Sequence, residues 1–341
     1  MINFNQAVRR YSTVKNRVML IISLLFIIAN SSATSTFATE TNKPKELLLW
    51  RVDSKPGSIY SVYILGSYHV GKECKLRSPA FEHVFNDVET VVFEVDSVHN
   101  ALLTPKIQQS LLTLIREKGI PTNHKDSLKG ILDPKTYQLL EKKAETLKFP
   151  LENIAHLKPW VFILMYDSLR MTNNEYKTDC GIDWIISQMS QAENKKTTGF
   201  ETIDYQVDKI TDSYISMDLD ETLDMIESIA LGKSAIKEQS QDIEQQLDWL
   251  TNSIDSGQEE NIEWIINSWC KQEPKDCQSL LYTRNKNWMP KIEQLLKQKQ
   301  DSLIVVGAGH LVTEQGLIEL LKQKGYQIRR FRSNFRLSIE K

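Results

Sequence analysis

Histidine and cysteine are scarce in this chain, with six of the first and four of the second in 341 residues. No C-x-x-C pair occurs among Cys74, Cys180, Cys270 and Cys277, which argues against a cysteine-based zinc site. Beyond the N-terminal region no apolar run approaches the roughly 20 residues needed to cross a bilayer. Positive charge is not in excess either. Lys and Arg total 42 against 44 Asp and Glu, a formal charge of -2, so a nucleic-acid partner is disfavoured. No internal repeat appears, which excludes solenoid architectures.

What is present begins with an export signal. Arg9, Arg10, Lys15 and Arg17 precede an apolar run from Val18 to Ala29, and small-residue sites follow at Ser31-x-Ala33 and Thr36-x-Ala38. This pattern predicts a signal peptide over 1–33, with cleavage after Ala33 or after Ala38. Removing residues 1–33 takes away four positive charges and no negative ones, which moves the formal charge from -2 to -6. The mature chain is then expected in the periplasm or outside the cell, with no stable membrane anchor after cleavage. Residues 34–45 read as a linker and 46–341 as one domain carrying a helical insertion over about 102–300.

Disulfides persist in oxidising compartments. Four cysteines allow three pairings. Cys270 and Cys277 flank a segment short enough to close locally, which would leave Cys74 to Cys180.

Strand-like runs lie at Glu46–Val52 and Ser58–Val70, separated by a Pro56-Gly57 turn signal that predicts a hairpin. Thr90–Asp96, Lys196–Glu201, Ser302–Gly307 and Tyr326–Phe331 read as further strands. Amphipathic helices fill the middle, one opened by the Asp133 cap and Pro134. Leu219, Leu223, Ile226 and Ala230 share a helical face, as do Ile243, Leu247, Leu250 and Ile254, and both read as core stripes. The expected fold is α+β or α/β, a central mixed sheet with an N-terminal β-hairpin, flanked by helices and carrying a large helical middle segment.

Two strand ends repeat one pattern. Gly66-Ser-Tyr-His69 follows one apolar run and Gly307-Ala-Gly-His310 follows another. Ligands of α/β sheets collect beyond the carboxyl ends of strands, and a glycine there permits close backbone approach. A third strand, TVVFEVD, places Glu94 and Asp96 on one face, where a carboxylate is costly unless paired or bound to a cation. Two imidazoles and a carboxylate suit a divalent ion such as Zn, Mn or Co. The spacing is non-local, and a shared ion requires the two rings within about 10 Å, since ligand bonds are roughly 2 Å. The other four histidines, His83, His99, His124 and His156, read as structural or surface residues, with His99 the nearest to the proposed rim.

In order and spacing, LLLWRV, VYILGSYHVG, FEVD, LKPW, CGIDWII, GFETIDYQ, TRNKNW and VVGAGHLVTEQGLIELLKQKGYQI are similar to the TraB/GumN family. That family is related to the Tiki metalloproteases, within a wider group that includes erythromycin-esterase-like and ChaN-like haem-binding proteins. Ser67 replaces the threonine usual in the first motif. The resemblance implies that His69 and His310, with Glu94, hold a metal or act in catalysis. Asp183, Glu201, Arg284 and Asn285 fall on recurrent family positions, as do Gly66 and Gly307. For Glu201 the residues allow a ligand, a base or merely a cap on the helix that follows. For Arg284 they allow a hold on a substrate carboxylate or an oxyanion, or simple pairing with Asp183. The implied function is an exported, metal-dependent hydrolase with peptide cleavage leading, using Mn, Co or Zn and acting on a peptide or small-molecule substrate. A non-catalytic haem-, metal- or peptide-binding protein of the same fold is the alternative.

Overall fold

The computed structural model describes residues 44–95, 103–172, 175–232 and 236–332. The expected signal peptide with both proposed cleavage sites, most of the expected 34–45 linker, Asp96 and His99 lie outside the described residues.

Six strands form one mixed sheet in the order β4-β3-β5-β2-β1-β6. They are β1 (Leu49–Asp53), β2 (Ser61–Ser67), β3 (Thr90–Val95), β4 (Lys196–Glu201), β5 (Ser302–Gly307) and β6 (Gln327–Arg330). The architecture is α+β. The expected hairpin forms: the connection over residues 54–60 turns at Gly57, with φ of +72°, and joins β1 to β2 in antiparallel register. β6 adds antiparallel to β1. By contrast β4, β3, β5 and β2 run parallel, which requires crossover connections. Helix Pro79–Asp87 lies between β2 and β3. The long helical middle lies between β3 and β5, and β4 from within it forms one edge of the sheet.

Every residue of β2 and β3 is buried, and both strands read as near-continuous apolar runs, the pattern of strands covered on both faces. The two edges are more polar. β4 reads KTTGFE and β6 reads QIRR, compositions that discourage pairing with another chain.

Local signals set the helix starts. The Asp133 side chain accepts from the backbone N–H of Lys135 and Thr136, with Pro134 in the first turn of helix Pro134–Leu147. Thr202, not Glu201, caps helix Ile203–Ile215, accepting from Tyr205 N–H. The stripe read on helix Leu219–Ala230 is rotated: Leu219 is 49% exposed, while Thr222, Ile226, Ile229 and Ala230 face inward. On helix Ile236–Asp255, Leu247, Leu250 and Ile254 are buried as the periodicity predicts. Both disulfides form, Cys74 with Cys180 and Cys270 with Cys277.

The parallel strands deliver their carboxyl ends to one edge. β5 lies between β3 and β2, so the connection from β2 to β3 passes over a strand that is added later. A change of strand order of this kind marks the place where open α/β sheets form a crevice.

Candidate functional site

The crevice brings the two G-x-x-H motifs together. Ser67 pairs with Gly307 across the β2–β5 register, so the motifs lie side by side with an offset of one residue. Gly66 permits this approach. A side-chain carbon there would lie 3.0 Å from a Leu311 methyl group and 3.2 Å from the Ala308 backbone, where the second motif turns. Gly307 is the rim itself. A carbon placed on it would lie 3.2 Å from Glu94 Oε1, 3.8 Å from His310 Cδ2 and 3.8 Å from His69 Nε2. One point therefore lies within 3.8 Å of all three side chains.

Each imidazole is held from behind. His69 Nδ1 lies 3.0 Å from Asp183 Oδ2, in the first turn of helix Ile182–Ala192. That helix docks because Ile182 N–H donates to Tyr68 O. His310 Nδ1 lies 2.7 Å from Asn285 Oδ1. Asn285 Nδ2 donates to the carbonyls of His310 and Gln315, so its Oδ1 must be an acceptor. His310 therefore carries its proton on Nδ1, and its Nε2 is an acceptor, 3.2 Å from Arg284 Nη1. A partner on the far nitrogen, orienting the ring, is the usual support of a metal-binding histidine.

Glu94 sits between charges. Its Oε1 accepts from Gly307 N–H at 2.7 Å and lies 3.7 Å from His310 Nε2. Its Oε2 accepts from Arg284 Nη2 at 2.6 Å and from Gln206 Nε2 at 3.3 Å. Arg284, on helix Thr283–Leu296, spends its remaining donors nearby. Nε bonds both Glu201 oxygens, Nη2 also reaches Glu201, and Nη1 reaches Leu280 O and His310 Nε2. Trp288, one turn further along, donates to Glu201 Oε2 and packs its ring 4.5 Å from that of His310. Arg284 therefore pairs with Glu94 and Glu201, and the partner of Asp183 is His69.

Burial and these charges set the protonation states. Burial disfavours charge on His69, but the Asp183 carboxylate outweighs it and raises the ring to about 9. His310 has only an amide behind it, and burial drives it down to about 3. Burial would raise Glu94, yet Arg284 and the two histidines hold it well below the usual carboxylate range. Glu201 goes the other way, raised by burial despite Arg284.

A cavity of about 60 Å³ opens at this edge, lined by His69, Glu94, Gly307 and His310 on one side. The opposite wall is apolar. Leu250 and Ile254 come from one helix, Ile262 and Ile266 from the next, and Leu280 and Leu281 from the turn before Arg284. Tyr68 ties wall to motif, since its hydroxyl donates to Asp255, which also pairs with Lys45. Glu94 is the one carboxylate lining this cavity among the described residues, and Glu201 and Arg284 lie behind it.

Two imidazoles and a carboxylate are donor types that suit a divalent ion, and Arg284 is the positive charge now beside Glu94. The three residues are not drawn to within 4.8 Å of one another. The group at that spacing among the described residues is Cys74, Asp179 and Cys180. Its sulfurs are joined in a disulfide, so neither can act as the thiolate that binds metal.

Sequence reasoning did not single out Gln206, Trp288 or Trp269, although the first two close the GFETIDYQ and TRNKNW motifs. Trp288 could have been found, since it lies four residues after Arg284 and so on the same helical face. Nothing in the sequence marks Trp269.

A model of the TraB/PrgY/gumN family matches residues 48–330. A protein named "Metalloprotease TIKI homolog", from Amphimedon queenslandica, is 21% identical over 371 residues, covering 92% of this chain and 67% of that protein. No solved structure matches.

Proposed function

This chain belongs to the TraB/PrgY/gumN family, and on that premise we propose that it is an exported, metal-dependent peptide hydrolase. One observation carries the proposal: a single point at Gly307 lies within 3.8 Å of His69 Nε2, Glu94 Oε1 and the His310 ring. The metalloprotease relative supports the same chemistry. Export is supported by the signal pattern at the N-terminus and by two disulfides, which fit an oxidising compartment.

His69, His310 and Glu94 would hold the ion, Mn, Co or Zn. When bound, such an ion polarises a carbonyl group and makes water more acidic. The protein's own groups supply the rest. Asp183 and Asn285 hold the Nδ1 side of each ring, which leaves the two Nε2 atoms for other partners. Glu94 carries the charge that offsets a cation, and its Oε1 is the carboxylate oxygen placed to take a proton from water in the cavity. Glu201 would accept a proton more readily, but it lies behind Arg284 and serves to hold that guanidinium. Arg284 in turn keeps Glu94 ionised and aimed, which makes it a positioning residue.

The test is metal titration with Mn, Co and Zn on the mature protein, paired with peptide-cleavage assays. His69→Ala and His310→Ala should each abolish most binding and cleavage, and the double variant should lose little more, because groups acting as a unit are lost together. Glu94→Gln should be equally damaging, while His124→Ala, on the surface, should be silent. Binding by the unaltered protein no tighter than by the double variant sinks the proposal. Specific binding without hydrolysis would identify a capture protein instead.

A further inference from the structure

The site is closed over. One-tenth or less of the His69, Glu94 and His310 side chains is exposed, and the cavity they line is about 60 Å³. That is room for a few waters at roughly 10–15 Å³ each. It falls well short of the roughly 300–1,000 Å³ of a pocket that takes an organic ligand. A substrate therefore reaches these residues only after part of the wall has moved.

Most of the wall is tied down. On the sheet side, β2 and β3 are buried along their whole length. Leu280 and Leu281 run directly into helix Thr283–Leu296, which carries Arg284. Helix Glu259–Gln272 is cross-linked to the segment just before that turn by Cys270–Cys277. Helix Ile236–Asp255, which contributes Leu250 and Ile254, is held differently at two places. Its C-terminal end is pinned. Lys45 Nζ lies 2.8 Å from Asp255 Oδ2, the Tyr68 hydroxyl donates to Asp255 Oδ1, and Glu46 N–H donates to the Asp255 carbonyl. Two turns earlier the tie is an ionic clasp. Lys72 Nζ lies 2.8 Å from Asp248 and 2.9 Å from Glu244, two acids one turn apart on the same helical face. Lys72 comes three residues after His69, and the clasp is open to solvent, with Lys72 29%, Glu244 30% and Asp248 44% exposed. Pairs of this exposure contribute little and are screened by salt.

We propose that helix Ile236–Asp255 is a lid over the His69, Glu94 and His310 site: it pivots on its Asp255 end, and the clasp from Lys72 to Glu244 and Asp248 holds it shut. Opening swings Leu250 away from the strand ends while Asp183 and Asn285 keep both rings in place. This deepens the proposed function by naming the step that admits a substrate, and its test needs neither metal nor peptide.

The test is acylation of His310 by diethyl pyrocarbonate, an uncharged reagent that reacts with neutral imidazole, followed by peptide mapping. His310 is neutral at pH 7, held near 3 by burial, and exposed His124 serves as the internal standard. In the unaltered protein His310 should react far more slowly than His124, and faster as NaCl rises from about 0.05 to about 0.5 M. Glu244→Gln/Asp248→Asn and Lys72→Met should each raise the low-salt rate about fivefold, the order that two partly exposed pairs supply, and should remove the salt dependence. Lys118→Met breaks pairs of similar exposure with Asp208 and Asp212 and should leave the rate unchanged, which separates lid opening from general loosening. Cobalt uptake followed by stopped flow gives a second readout. Loss of two acids would by charge alone slow the arrival of a cation, whereas an unlatched lid makes uptake faster. His310 as reactive as His124 in the unaltered protein, or a rate unmoved by salt and by both clasp variants, overturns the proposal. If the clasp variants speed acylation but no ion binds and no peptide is cleaved, the hydrolase reading fails and the lid stands. Metal binding and cleavage with unmoved acylation reject the lid and keep the hydrolase.

Discussion

Arg284 Nη2 lies 2.6 Å from Glu94 Oε2, with both side chains more than nine-tenths buried. The same guanidinium also reaches Glu201 and His310, so one cation supports two carboxylates and a neutral ring.

Removing that cation should be severe. Arg284→Met leaves two acidic groups buried beside each other without a partner, and breaking a buried pair in this way costs about 3–5 kcal/mol. Arg284→Lys should recover only part of the loss, because an ammonium group cannot serve three partners in a planar fork. Urea unfolding of both variants provides the check. Stability of Arg284→Met within error of the unaltered protein would refute the assigned role.

Stability should depend on pH with two opposite limbs. His310 is held near 3, below its ordinary 6.5, so between those values the unfolded chain binds a proton that the folded chain refuses. Stability therefore falls as pH drops through that window. His69 is raised to about 9, so the folded chain holds the extra proton between 6.5 and 9, and stability falls as pH rises through that range. Thermal unfolding without metal should show His310→Gln flattening the acid limb and His69→Gln the alkaline limb.

Metal binding should release protons. A histidine near 9 is protonated at neutral pH, and it must lose that proton to coordinate an ion. Calorimetry in buffers of different ionisation heat should find about one proton released per ion at neutral pH. Asp183→Asn should reduce that number, since the amide no longer holds the proton on His69. An unchanged count would place the ion elsewhere.

Reduction of Cys74–Cys180 should loosen the site more than reduction of Cys270–Cys277. The first closes 106 residues and the second 7, and the stabilisation from a cross-link grows with loop length, to about 2–5 kcal/mol for native bridges. The first also joins the loop after His69 to the segment before Asp183. Tm and metal affinity of Cys74→Ala/Cys180→Ala, compared with Cys270→Ala/Cys277→Ala, measure the difference.

Much of this was legible in the chain. The strands announced themselves by apolar runs between turn residues, and a glycine at the end of two of them marked His69 and His310. Glu94 stood out as a charge inside such a run. The pairing of charges was not legible. Arg284 is 190 residues from Glu94 and Asp183 is 114 from His69, and no local pattern decides which acid meets which base. The answer depends on helix docking, such as the bond from Ile182 N–H to Tyr68 O. Leu250 and Ile254 read correctly as an inward face, yet their spacing could not show that this face borders a cavity.

The position of β5 has a consequence for timing. It is the fifth strand in the chain but sits between β3 and β2, so the β1–β2 hairpin and the β3–β4 pair remain two separate fragments until residues 302–307 arrive. A chain emerging from its N-terminus carries His69 and Glu94 long before they have a common neighbour. The two halves of the sheet and the residues of the site are joined by the same late insertion. A site built in this order has its full set of side chains only when nearly the whole chain is available.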